Sequence, residues 1–186
     1  MPRYKRGPMA SYRDFLDYAE SFYFQARQAS ELGQGAAAER SLIASLLLSW
    51  IAMESFINNM MADFAALPPD MFSLPERALL TEQRLEFMDS GSEVGQFRVS
   101  DTPEYRRLED KILFLVAKFG TGTKLDKGGY LWQSFEAVRE KRNQITHPRK
   151  SYDISLTLAD AEDALEVAKA IIKMVSEKVW GKATDL

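Results

Sequence analysis

Cysteine is absent from the 186 residues, and histidine occurs once, as His147. The first absence excludes disulfides, thiolate nucleophiles and Cys-ligated zinc, and the second excludes multi-histidine metal centres. No carboxylate cluster has the spacing of a calcium-binding loop or a zincin helix, so neither a metal nor a cofactor is expected. Excess positive charge is also missing. Twenty-four Lys and Arg face 27 Asp and Glu, and any contact with nucleic acid has to come from a local basic patch. The N-terminal Met-Pro-Arg-Tyr-Lys-Arg has no apolar stretch of the secretory kind, which leads us to expect a cytoplasmic protein.

Apolar residues at 46% and charged residues at 27% describe a chain able to bury a core, and the length suits one domain over 1–186. Residues 1–10, with Arg3, Lys5 and Arg6, read as a flexible basic arm, a solvated terminus unless it adds phosphate contacts. The most apolar run, 42–61, carries a single charge, Glu54, together with Ser45, Ser49, Ser55, Asn58 and Asn59. A central carboxylate costs about 3 kcal/mol on insertion into a bilayer, so a buried core helix is expected there and no membrane partner.

Apolar spacing predicts an all-α bundle of about six helices. Ser11 and Asp14 cap the first, whose Phe15, Ala19, Phe22, Ala26 and Ala29 recur until Gly33. The second covers about 36–66 and stops before Pro68-Pro69. Ser73-Leu-Pro-Glu76 opens a third, to about residue 88, followed by a loop over 89–101. Thr102-Pro103 opens a fourth, ended by Gly120, and 120–129 is a second loop. The fifth runs over about 130–146 and closes at His147-Pro148. The sixth starts at Thr157 with Asp160 as capping partner and carries the stripe Ala161, Leu165, Ala168, Ile172 and Val175. No strand-type alternation stands out.

Two helices place a charge inside an apolar stripe: Glu54 in the second and Arg142 in the fifth. An unpaired buried charge is costly, so these two are expected to face each other as an ion pair. Such a pair either fixes helix register or has Glu54 orient Arg142 toward a bound phosphate.

The end of the fifth helix is a basic island in an acidic chain, with Arg139, Lys141, Arg142, Arg149 and Lys150 around His147. Asn143 and His147, four apart, share a helical face, while Arg142 projects about 140° away from His147 by ideal rotation. A long side chain or the break at Pro148 therefore has to bring the two together. The set suits cleavage of RNA by its own 2′-hydroxyl. An imidazole with an ordinary pKa of about 6.5 can move the protons, a guanidinium can stabilise charge on the phosphoryl oxygens, and an amide can position either.

Arg142-Asn143-Gln-Ile-Thr-His147 resembles the signature of the HEPN superfamily, an arginine followed by a polar residue and then a histidine late in a helical hairpin. Ser49-Trp-Ile-Ala-Met-Glu54-Ser-Phe-Ile-Asn58 is similar to the acidic helix that precedes the signature in many members. The likeness covers the second, fifth and sixth helices and little of residues 69–129. It implies a helical homodimer that cuts RNA in a shared cleft without metal, leaving a cyclic phosphate, often as a toxin or defence nuclease. Arg142, Asn143 and His147 would be catalytic and Glu54 supporting, with Arg139, Lys141, Arg149, Lys150 and Tyr152 on the RNA. Two alternatives remain: a non-catalytic HEPN module that binds RNA or nucleotide, and a helical antitoxin-type protein whose basic island meets a protein partner. Phe119-Gly-Thr-Gly-Thr-Lys124 lacks the leading strand and residue order of a phosphate loop, and Trp180 is a candidate for a subunit contact.

Overall fold

The computed structural model describes residues 11–92, 94–121, 124–147 and 155–182. Six α-helices make a bundle: α1 (Tyr12–Glu31), α2 (Gly35–Ala65), α3 (Leu74–Leu80), α4 (Leu108–Phe119), α5 (Tyr130–Thr146) and α6 (Leu158–Trp180). Three of them start at the capping boxes expected from sequence, Ser11 with Asp14, Ser73 with Glu76, and Thr157 with Asp160. These caps hold their carboxyls below the usual range. For Asp14 the cause is the Ser11 N–H and hydroxyl. Burial alone would raise the Asp160 carboxyl, but the Lys141 ammonium and the Thr157 N–H and hydroxyl outweigh it.

Helix α2 is the axis of the molecule and packs against α1, α3, α4, α5 and α6. Its length and composition would let it cross a membrane, and half of its most apolar window is buried within the fold. Small residues let α1 approach it closely: Ala19, Ala26, Ala38, Ser45 and Ser49 are all buried. The Ser45 hydroxyl donates to the Ala19 carbonyl at 2.8 Å, which satisfies a polar group that would otherwise be stranded in the core. One continuous core draws Leu46, Ile57, Ile112, Leu115, Phe135, Ile171 and Ile172 from four helices. Each such side chain contributes about 1.5–3 kcal/mol on removal from water.

One expectation fails between α3 and α4. Instead of a longer third helix and a loop, β1 (Gln83–Phe87) and β2 (Phe97–Pro103) form an antiparallel hairpin. Leu85 faces Val99 and Phe87 faces Phe97, with a register irregularity between Gln83 and Leu85. Helix α3 ends early because Glu82 adopts φ 50°, a left-handed conformation that no helix continues. Gly91 and Gly95, at φ 82° and 85°, allow the chain to reverse between the strands. Thr102-Pro103 does not open α4. The residue before a proline is driven toward extended geometry, so the pair ends β2, and α4 starts after Arg107.

Candidate phosphate-binding groove

The groove is an open cleft of about 470 Å³ bounded by three parts of the fold. Helix α2 supplies Trp50 and Glu54, α5 supplies Arg139, Glu140, Arg142 and Asn143, and the link between β2 and α4 with the first turn of α4 supplies Arg106, Arg107, Leu108 and Glu109, so four arginines share the lining with three carboxylates. Its floor is rigid. Trp50 is buried and stacks on the fully buried Phe135, with ring centroids 5.4 Å apart.

The direct pair expected between Glu54 and Arg142 is not formed; both side chains turn to Trp50 instead. The indole Nε1 donates to Glu54 Oε1 at 2.8 Å, one turn along the same helix. The Arg142 guanidinium carbon lies 5.8 Å from the indole centroid, a cation–π distance. Neither charge is fully buried, since the stripe positions 54 and 142 fall at the rim of the core. Water reaches both groups, which removes the need for mutual neutralisation.

Arg142 is fixed along its own helix. Its Nη1 donates to Asn143 Oδ1 at 3.2 Å and to Thr146 Oγ1 at 3.4 Å, and the Thr146 hydroxyl donates to the Arg142 carbonyl at 3.0 Å. Asn143 thus positions the guanidinium. The other groove arginines have carboxylate partners: Arg139 with Glu109 at 2.9 Å, Arg107 with the same carboxylate at 4.0 Å, and Arg106 with Glu104 at 2.8 Å. Among the described residues Arg142 is the groove arginine without one. A half-exposed, oriented guanidinium whose fork is free of carboxylate suits capture of a phosphate oxygen.

Other expected site residues fall elsewhere. His147 caps the C-terminus of α5, exposed, with its N–H on the Asn143 carbonyl at 2.9 Å, and it is not part of the groove wall. The helix stops one residue short of it, so the face that carries Arg139, Arg142, Asn143 and Thr146 does not extend to the imidazole. Lys141, expected on RNA, points to the opposite side of α5. There its ammonium is held by Asp160, the capping-box partner of Thr157 at the start of α6. Arg149, Lys150 and Tyr152 lie outside the described residues.

Along with Leu108, Glu109 and Glu140, sequence reasoning missed the cationic groove residues Arg106 and Arg107. Their signal was two consecutive arginines, hidden because that stretch reads as the first turn of a helix. Trp50 belongs to the core, yet it offers its one polar atom to Glu54 and one ring face to Arg142. Compared with protein-family models, with curated proteins and with solved structures, the chain has no significant match.

Proposed function

We propose that the chain is an RNA-binding helical bundle of the HEPN kind, and that it cleaves RNA through the 2′-hydroxyl without a metal. The single observation that carries the reading is the Arg142 guanidinium, set in an open groove over Trp50, positioned by Asn143 and free of carboxylate. In this reading Arg142 holds the phosphate and stabilises charge on its oxygens during attack. His147, at the C-cap of α5, takes or gives the proton. The groove then needs an imidazole brought to it, either by a turn of the chain at the end of α5 or from a second copy in the homodimer that the resemblance implies. A cytoplasmic location and RNA as partner belong to the same proposal.

A second reading, an RNA-binding module without catalysis, is favoured by one observation: His147 does not line the groove. One experiment separates the two. The protein and its His147→Ala and Arg142→Ala variants are incubated with mixed RNA in buffer containing EDTA, and product ends are examined for 2′,3′-cyclic phosphate. Cleavage lost in His147→Ala, with folding intact, is the expected result. Binding weakened by Arg142→Ala, with no product from the parent protein, moves the conclusion to the non-catalytic module. A parent protein that neither binds nor cuts RNA at low salt removes both readings.

A further inference from the structure

The link between β2 and α4 holds an exposed aromatic ring on an unusually constrained backbone. Tyr105 is 84% exposed and makes no hydrogen bond or ring contact among the described residues. Its two neighbours are both clamped by Glu82. The Glu104 N–H donates to the Glu82 carbonyl at 2.7 Å, and the Arg106 N–H donates to Glu82 Oε1 at 3.2 Å. The side chains of Glu104 and Arg106 also pair across Tyr105, at 2.8 Å. Glu82 is itself held, because its Oε1 accepts from the buried Lys111 ammonium at 2.6 Å, and that ammonium also donates to Asn58 at 2.7 Å.

Glu82 is the one non-glycine residue with positive φ among the described residues. Such a conformation is unfavourable for a residue with a side chain and persists only where the surroundings over-determine it. Here the surroundings fix three residues whose central side chain is largely exposed and has no polar or ring partner among the described residues. The residues that follow, Arg106 and Arg107, are groove walls, and the Arg106 Nε is buried without a protein partner.

We propose that Tyr105, which stands outside the groove wall beside Arg106 and Arg107, forms with those two wall residues a subsite at the edge of the groove that takes an unpaired nucleotide of a single-stranded RNA. The base stacks on the Tyr105 ring and the adjoining phosphate meets Arg107, whose side chain is exposed and only 4.0 Å from its nearest carboxylate, while Arg106 stays paired with Glu104 on the wall. The inference rests on the reading of the groove as a phosphodiester site and names the class of strand that enters it. A free ring face on a fixed backbone stacks a base with little ordering entropy. Bases within a duplex are already stacked and offer no face to the ring, so the subsite selects single strands.

The test measures binding of a fluorescein-labelled uridine homopolymer, and of a perfectly paired RNA duplex, to the parent protein, Tyr105→Ala, Tyr105→Phe, Arg107→Ala and Arg142→Ala. His147→Ala is the background throughout, so that the RNA is not consumed. Tyr105→Ala is expected to weaken single-strand binding about tenfold with an unchanged salt slope, while duplex binding stays the same and Tyr105→Phe keeps the affinity. Arg107→Ala is expected to lower the salt slope by about one. Affinity of Tyr105→Ala equal to the parent, alongside a loss in Arg142→Ala, overturns this subsite and leaves the phosphodiester reading standing. Equal losses on single strand and duplex also overturn it. No binding of either RNA by any form overturns both. Tyr105 lies on the surface, and circular dichroism melting checks that each variant folds.

Discussion

Lys111 is a nearly buried cation, with 7% of its side chain exposed, and its charge is balanced by one carboxylate, Glu82, whose side chain is 27% exposed. That unequal burial makes the two halves of the pair unequal under mutation. Glu82→Ala strands an ammonium with only the Asn58 amide oxygen as partner and is expected to destabilise the fold by about 3 kcal/mol, the low end for breaking a buried pair. Lys111→Met leaves a carboxylate that still accepts the Arg106 N–H and reaches water, and its expected effect is about 1 kcal/mol. For a chain of this length the first value lowers the melting temperature by roughly 6–12 °C. The double variant should resemble Lys111→Met, because once the cation is gone the carboxylate has no charge to balance, giving a coupling of about 3 kcal/mol. Urea unfolding of the parent, both single variants and the double variant completes the cycle. Lys111→Met as damaging as Glu82→Ala, or strictly additive effects, refutes the reasoning. Because Glu82 also clamps the Arg106 backbone, Glu82→Ala should reduce binding of single-stranded RNA under conditions where it remains folded.

Acid should act through the capping carboxylates. The Lys118 ammonium, with the Ser73 N–H and hydroxyl, holds the Glu76 carboxyl down at about 2 from an ordinary 4.5. A depressed carboxyl contributes stability that is present above its unfolded value and lost as pH falls toward the folded one. Glu76→Gln should therefore be less stable than the parent at neutral pH, with the gap closing between about pH 4.5 and 2 in denaturant titrations. Lys141→Met should lower stability, by about 1 kcal/mol in urea unfolding, because the half-exposed ammonium is tied to Asp160. It should leave RNA affinity within about twofold of the parent, since Lys141 does not line the groove; an RNA effect as large as that of Arg142→Ala would place the binding face elsewhere.

The helices were legible because their signals are local. Capping pairs three residues apart, prolines after α2 and α5, and apolar stripes of period 3.6 all act within a turn or two. Those signals placed both ends of α2 and α5 and the starts of α1 and α6 within about a residue of where they are observed. The hairpin was not legible for the converse reason. Leu85 and Phe87 alternate with Arg84 and Glu86 for only a few residues, directly after a helical segment, and their partners lie beyond two glycines. The positive φ of Glu82, which ends α3, has no signature in the residue type.

On the candidate site, sequence alone determined the supply: a basic island at the end of α5, one histidine, and two charges in otherwise apolar stripes. Tertiary structure decided the meetings. Glu54 took the indole one turn away on its own helix, and Arg142 took the face of the same ring, because a carboxylate that is not fully buried needs no buried counter-charge. Lys141 went to the cap of α6, His147 fell past the last turn of α5, and Arg106 and Arg107 arrived from a segment some thirty residues upstream. Residue types fix which interactions are available; which of them form depends on how helices distant in sequence pack, and side-chain periodicity carries no information about that.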